Sequence, residues 1–309
     1  MRSLFLDIVW YDICRKIRIY NLVVDMKKIC LFLIVLSLLL CGCGKASDPQ
    51  IVASTLPVYE FTATLCKGTG LFVSRLITEE VSCLHDYTLQ VTQMRAVEAA
   101  DVVILNGGGL EDFLGDALTS ADRVIDASKD VELSCSHHHE GHDHEHDPHI
   151  WLSPEKAKQM CQRIYLELCT LYPNYQGQFT VNFTELLAKL NALQAYGESE
   201  LSNLKNRHLI TFHDGFSYFA ESFDLHILKA VEEESGSEAS ARELIEMIDL
   251  VQENKLPAIF TECNGSTAAA KVIAAETGVK VYALDMAMAG DSYFDAMYHN
   301  IRTVKEALG

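Results

Sequence analysis

The most distinctive chemical feature of the sequence is a run of histidines and carboxylates at residues 136–147. Neutral imidazole is the commonest side-chain ligand for late divalent metals, and hard ions that seek oxygen would not select such a run. A segment this polar cannot pack into a core, so we predict a solvated, auxiliary metal-binding loop. A pH-sensitive linker is the competing interpretation of its composition. The histidines of this loop are His137, His138, His139, His142, His144 and His146.

A defined metal site is expected elsewhere, because a flexible histidine tract supplies affinity without a fixed geometry. Ligands of open parallel sheets bind outside the carboxyl ends of the strands, and His213 and Asp285 each follow an apolar run of four residues. His85 follows an extended stretch, and His149 lies just past the histidine-rich run. Each residue alone is as readily a capping or core residue. As a group of three histidines and one aspartate, they match a four-coordinate zinc site.

The elements that must position these residues follow from an alternation of short apolar runs and longer amphipathic segments. This pattern is typical of βαβ units and a parallel sheet. The predicted strands or extended stretches are residues 51–54, 71–77, 102–105, 123–127, 209–212, 225–230, 258–261 and 280–284. The predicted helices are residues 58–65, 89–99, 215–223, 241–253, 267–276 and 293–307. Apolar residues at three- and four-residue spacing within 176–204 predict a long helix between the halves.

The first residues have the features of an export signal. Lys27 and Lys28 precede an apolar run at 29–40, which is shorter than the about 20 residues of a spanning helix. The run ends in Leu-Cys-Gly-Cys, which resembles the bacterial lipobox and implies that Cys43 is the first mature residue and carries a lipid. An ordinary secretory signal stays the alternative. Because residues 1–25 precede a complete signal peptide, we hypothesise that translation starts at Met26.

Length and composition indicate the class of protein and its division into domains. The chain has 309 residues, of which 49% are apolar and 22% charged, as in globular proteins. Its net charge of −18 argues against a nucleic-acid partner, which would require basic patches.

The ten cysteines include no CxxC pair, which argues against a structural cysteine-type zinc site. We predict a leader and lipoprotein signal peptide (1–42), a lipid-anchored linker (43–50), an N-terminal α/β lobe (51–153), connecting helices (154–205) and a C-terminal α/β lobe (206–309).

Four motifs resemble the zinc/manganese-binding lipoprotein family of ABC transporter solute-binding proteins, and the resemblance covers residues 51–309. The motifs are DPHIWLSP at 147–154, FHDGFSYF at 212–219, AIFTE at 258–262, and Leu284–Asp285 followed by Tyr293 and Asn300. The resemblance implies two similar parallel-sheet α/β lobes joined by one long helix, with a metal ion in the cleft between them. The family's four ligands map onto His85, His149, His213 and Asp285.

The resemblance also implies which ion the protein carries and which transporter receives that ion. His213 and the histidine-rich loop fit the zinc branch, whereas manganese members usually have a carboxylate at the third ligand position, and three imidazoles favour zinc. The implied function is high-affinity extracytoplasmic capture of Zn²⁺ for the permease and cytoplasmic ATPase of an ABC importer. Binding of manganese or another divalent metal for the same importer class, and surface metal storage or adhesion, stay open.

Two further observations bear on the site and its chemistry. The usual proline-rich continuation after the first ligand is replaced by Asp-Tyr-Thr-Leu-Gln after His85, and Asp214 and Glu262 are candidates for orienting the imidazoles. A zinc hydrolase would keep an open metal position and a general base. The sequence has no HExxH, GxSxG or Cys–His nucleophile signature, so we predict no enzyme.

Overall fold

A computed structural model describes residues 51–81, 84, 87–134, 146–231 and 239–309. All of these residues belong to one compact unit, Asp48–Gly309. Several predicted functional residues lie outside the described ranges, namely Cys43, His85, His137, His138, His139, His142 and His144.

The first half of this unit forms a four-stranded parallel sheet in the order β2-β1-β3-β4. Its strands are β1 (Ile51–Ala53), β2 (Val73–Arg75), β3 (Val102–Leu105) and β4 (Val124–Asp126). Every residue of β1 and β3 is buried, as expected for central strands of a parallel sheet that is covered on both faces. The apolar run at 102–105 is therefore a central strand, as predicted.

The second half repeats the arrangement with the order β6-β5-β7-β8, again with all strands parallel. Its strands are β5 (His208–Thr211), β6 (His226–Ala230), β7 (Ala258–Glu262) and β8 (Lys280–Leu284). In both sheets the first strand lies between the second and the third, so the two lobes share one topology. The predicted α/β class with two similar parallel-sheet lobes is confirmed.

Helices cover the sheets and connect the lobes. They are α1 (Leu56–Cys66), α2 (Val91–Ala99), α3 (Pro154–Leu171), α4 (Gln176–Glu200), α5 (Ser217–Ser222), α6 (Ala241–Glu253), α7 (Ala268–Thr277) and α8 (Tyr293–Leu308). Short 3₁₀ segments lie at Asp112–Ser120, Ile150–Leu152 and Pro173–Tyr175. Ser240 and Glu243 form a capping box that starts α6. Within the described ranges, no helix has the length and hydropathy that a membrane crossing requires.

The predicted long helix is α4, which has 25 residues and packs against α1 of the first half and α8 of the second. Asn182, buried within α4, fixes one of these contacts. Its Nδ2 donates to the carbonyl oxygens of Leu65 and Lys67, at 2.7 and 2.8 Å, where α1 ends and its last carbonyls have no partner within the helix. The long helix therefore joins the two lobes through side-chain packing as well as through the chain.

Direct hydrogen bonds also connect the lobes around one buried segment, residues 147–152. Trp151, fully buried, donates from Nε1 to the carbonyl oxygen of Met286 at 2.7 Å. The hydroxyl of Tyr293 donates to the carbonyl oxygen of Trp151 at 2.8 Å, and that of Tyr218 donates to the carbonyl oxygen of Asp147 at 3.0 Å. The segment that carries His149 is thus held by residues of the second lobe.

Gly107, two residues after the end of β3, is required by both its backbone and its surroundings. Its φ is +86°, and a Cβ there would lie 1.8 Å from Oδ1 of Asp126 and 2.4 Å from Oγ of Ser128. Positive φ costs an ordinary residue about 1 kcal/mol, and overpacking costs about 1–3 kcal/mol. Only glycine fits this turn at the carboxyl edge of the first sheet.

We therefore predict that Gly107→Ala lowers the free energy of unfolding by about 2–4 kcal/mol in urea titrations. Gly70→Ala is the matched control, because Gly70 has φ +82° and no atom lies within 4 Å of the position that a Cβ would take there. The control should lose only about 1 kcal/mol. Equal losses in the two variants would show that the contacts with Asp126 and Ser128 are not limiting.

Candidate metal centre

His149 is held in one orientation by a carboxylate of its own segment. It is 3% exposed, and Asp147 Oδ1 accepts its backbone N–H at 2.9 Å and lies 2.8 Å from its Nδ1. Because a carboxylate only accepts hydrogen bonds, the Nδ1 atom carries the proton and donates it to Asp147. The Nε2 atom of neutral His149 then presents its lone pair. Asp147 was not assigned this role from the sequence, although its position two residues before a candidate ligand was a usable signal.

His213 has a similar environment in the second lobe. It lies two residues beyond the end of β5, and its Nδ1 is 3.2 Å from Oε1 of Glu262, the last residue of β7. Strands β5 and β7 are parallel neighbours, so their carboxyl ends meet at the same edge of the sheet. Glu262 is 6% exposed and lies against the imidazole of His213. This is the position that a residue orienting that imidazole would take. A carboxylate at Nδ1 again favours a lone pair on Nε2.

The two imidazoles meet between the lobes. Their Nε2 atoms are 3.4 Å apart, and their ring centroids are 5.1 Å apart with the planes at 88°. Two Zn–N bonds of about 2.05 Å at the tetrahedral angle separate the nitrogens by about 3.3 Å. Two lone pairs that face each other at this distance repel unless a cation or a proton lies between them. The distance between the Nε2 atoms of His149 and His213 is thus close to that between two nitrogens that bind one tetrahedral zinc ion.

Asp285 follows β8 and is fixed by its backbone. Its N–H donates to Asn300 Oδ1 and its carbonyl oxygen accepts from Asn300 Nδ2, each at 2.7 Å, and Asn300 is fully buried on α8. The Asp285 carboxylate accepts the N–H of Ala287 at 2.7 Å through Oδ1. Asp285 and Glu262 line one pocket, together with Val81, Cys263, Asn264, Met286, Met288 and Ala289. Asp285 is thus brought to the pocket that includes the carboxylate partner of His213.

The pocket is acidic. Partial burial raises the pKa of the Cys263 thiol, and the carboxylates of Asp285 and Glu262 raise it further. Negative charge that opposes ionisation of a thiol favours the binding of a cation. In the ranges that the structure describes, no three histidine, cysteine, aspartate or glutamate side chains are arranged to hold a metal ion. The fourfold ligand set with His85 and Asp285 therefore stays a prediction.

A buried network lies behind His149 in the first lobe. Glu111, 4% exposed, accepts hydrogen bonds from Ser54 Oγ at 2.5 Å and from the N–H groups of Asn106 and Gly107 at 2.8 and 3.0 Å. Burial raises the pKa of Glu111 to about 7, against the lowering effect of these hydrogen bonds. Asn106 Nδ2 donates to the carbonyl oxygen of Pro148 at 3.0 Å. The glycine-rich turn after β3 therefore supports the segment that carries His149.

Two parallel-sheet lobes with paired imidazoles between them define a two-lobed α/β binding protein. The profile of the ZnuA family, described as "Zinc-uptake complex component A periplasmic", matches residues 51–307, and the chain belongs to this family. The resemblance to the zinc branch of metal-binding lipoproteins is confirmed by this match.

Relatives and solved structures agree with the family assignment. The zinc-binding lipoprotein AdcA of Streptococcus pneumoniae is 29% identical over 308 residues, which cover 91% of this chain and 61% of AdcA. This chain therefore spans about three fifths of the length of that relative. A crystal structure of ZnuA superposes with a TM-score of 0.73 at 29% identity, covering 85% of this chain and 100% of that one. The Zn(II)-bound ZnuA-like domain of S. pneumoniae AdcA gives a TM-score of 0.71 at 27% identity, with coverages of 84% and 98%.

The contact between Asp147 and His149 generates a prediction for the tight site. Asp147→Asn should weaken zinc binding by about 10- to 100-fold, because an amide can present its NH₂ group to Nδ1 and favour the wrong tautomer. Competition with a chromophoric chelator at the first equivalent of zinc measures the change. Asp130→Asn, which removes an exposed carboxylate paired with Arg163, is the control and should leave the affinity unchanged. Equal affinities for Asp147→Asn and the control would rule out this role of Asp147.

Proposed function

We propose that this chain captures Zn²⁺ between its two lobes outside the cytoplasm and delivers it to the permease and ATPase of an ABC-type importer. The observation that carries the proposal is the convergence of His149 and His213 through Nε2 atoms 3.4 Å apart. Membership in a family described as a zinc-uptake component supports zinc as the transported ion. Capture and release of an ion require no bond-making group, so we propose no catalytic activity.

The chemistry of the pair favours zinc over a harder ion. Imidazole nitrogen is a borderline-soft ligand that suits zinc, whereas manganese prefers carboxylate and water oxygens. Asp147 and Glu262 lie at the Nδ1 atoms of the two imidazoles, and such partners raise the basicity of the ligating nitrogen. The net charge of −18 adds a field that attracts cations from solution. Manganese is the alternative ion for the same site.

The full ligand set is part of the proposal. His85 and Asp285 would complete a tetrahedral set of three imidazoles and one carboxylate, which is a closed zinc site without a position for a reactive water. Support for Asp285 comes from the pocket that it lines beside Glu262. Support for His85 comes from its position after the extended stretch at 71–77 and from the family resemblance. Met286 and Met288, both buried, line the same pocket.

We further propose that Cys43 carries a lipid that holds the protein at the extracytoplasmic face of the cell membrane. The lipobox-like ending at residues 40–43 supports this anchor. The proposed division of the chain, with a leader at 1–42, a linker at 43–50 and lobes on either side of 154–205, places both sheets beyond the anchor. The histidine-rich loop at 136–147 would then gather zinc close to the cleft.

Substitution of the paired imidazoles tests the site. His149→Ala and His213→Ala should each weaken the tight zinc site by more than about 100-fold, beyond the loss expected for an outer partner, because each removes a ligand. Isothermal titration with zinc and then manganese measures both affinities. His299→Ala removes an exposed histidine of α8 that belongs to neither lobe's ligand set and should leave the tight site unchanged. Unchanged tight binding in the double variant of His149 and His213 would overturn the ligand assignment.

Deletion of the loop tests the division of labour between its histidines and the cleft. A variant that lacks residues 137–145 should bind fewer ions in total and keep one tight zinc site, because the cleft imidazoles are held by Asp147 and Glu262. Zinc titration by calorimetry gives both the stoichiometry and the affinity of the first ion. Loss of all tight binding with the loop would show that the cleft is not the defined site.

A further inference from the structure

A second pair of histidines lies outside the cleft, in the second lobe. His208 is the first residue of β5 and His226 the first residue of β6, and the two are register partners in the parallel pairing of these strands. Their ring centroids are 5.8 Å apart, with the ring planes at 39°. His208 is half-buried and His226 is exposed, so a solvated ion can reach both rings.

This pair lies at the end of the sheet opposite the cleft. His213 follows His208 by five residues, and a strand rises about 3.3 Å per residue, so the two positions are separated by roughly 16 Å along the chain direction. The carboxyl ends of β5 and β7 lead to the cleft, whereas His208 and His226 lie at the amino end of their strands. An ion held here would not share a ligand with the cleft site.

The spacing of the rings is close to that of two imidazoles around one ion. The cleft pair, His149 and His213, has its centroids 5.1 Å apart and its Nε2 atoms at the edge length of a zinc tetrahedron. The outer pair is 0.7 Å wider, the difference between 5.8 and 5.1 Å. Because His226 is exposed, its ring has room to rotate toward His208 when an ion binds.

The backbone around the pair is fixed before any ion arrives. The N–H of His208 donates to Oδ1 of Asn206 at 2.8 Å, and the N–H of His226 donates to the carbonyl oxygen of Arg207, also at 2.8 Å. Two ligands whose backbones are already ordered lose less conformational freedom on binding. The second imidazole also binds intramolecularly, which raises the affinity above that of one histidine.

The guanidinium of the neighbouring Arg207 bonds to backbone carbonyl oxygens and not to the histidine pair. Its guanidinium donates to four carbonyl oxygens, those of Leu201, Ser202, Phe223 and Asp224, at 3.0 to 3.2 Å. The carboxylate of Asp224, 3.4 Å from Nη1, opposes the charge. Arg207 therefore orders the loop around the pair, and its charge is compensated locally.

We propose that His208 and His226 form a second binding site for a borderline divalent cation such as Zn²⁺. The two imidazoles supply two ligands, and water completes the coordination, so the site is weaker than the cleft and exchanges its ion with solvent. Hard ions such as Mg²⁺ are excluded by the nitrogen ligands. The site stands independently of the cleft, since it uses other residues at the other end of the sheet.

The test uses NMR of the histidine ring C–H signals in the full chain, first loaded with one equivalent of zinc. Further zinc should move the signals of His208 and His226 together, on one saturation curve. In His226→Gln, the zinc concentration that half-saturates the His208 signal should rise by about tenfold or more, because a single imidazole remains. His299→Gln removes an exposed histidine of α8 and is the matched control, which should leave the curve unchanged.

Two results would overturn the proposal. One is that the His208 and His226 signals stay fixed while further zinc binds elsewhere. The other is that His208 follows the same curve in His226→Gln as in the unsubstituted chain, which would make it an isolated ligand. Retention of the first, tight equivalent of zinc in each variant establishes that the variants are folded.

Discussion

The candidate metal centre depends on one close approach, the 3.4 Å separation of the Nε2 atoms of His149 and His213. Two neutral imidazoles do not remain at this distance by their own attraction. Asp147 and Glu262 lie at the Nδ1 atom of each ring and orient the rings so that both Nε2 atoms point toward each other. The two parallel sheets supply the frame, since the carboxyl ends of β5 and β7 bring His213 and Glu262 to one edge.

The frame is stiff where the two halves meet. One apolar core runs through both sheets, from β1 to α8, and a smaller cluster lies under α6 and α7. Trp151 and Tyr293 form buried hydrogen bonds between the segment of His149 and the second lobe. Separation of the lobes would exchange these hydrogen bonds for bonds to water, at a net cost of about 1 kcal/mol for each. These contacts therefore oppose a wide opening of the cleft.

Much of this fold could be predicted from the sequence because its signals are local. The apolar run at 102–105 and the helical spacing within 176–204 mark a central strand and the long helix, and both are observed as β3 and α4. The position of His213 near the cleft follows from a topological rule, since ligands of parallel sheets lie beyond the strand ends. The segment at residues 112–120, which follows the glycines at 107–109, differs from a regular helix. It is a 3₁₀ segment interrupted at Gly115, where φ is +41°.

The remaining features could not be predicted because they depend on tertiary contacts. No periodicity indicates that Trp151 donates to Met286, or that Asn106 supports Pro148, because these partners are distant in sequence. The register of His208 with His226 follows only once β5 and β6 are known to pair.

The most direct test of the central claim is anomalous diffraction at the zinc edge from crystals of the full chain with one equivalent of zinc. The account predicts one strong peak about 2.0–2.1 Å from the Nε2 atoms of both His149 and His213. A strong peak elsewhere, with none between these two atoms, would contradict it.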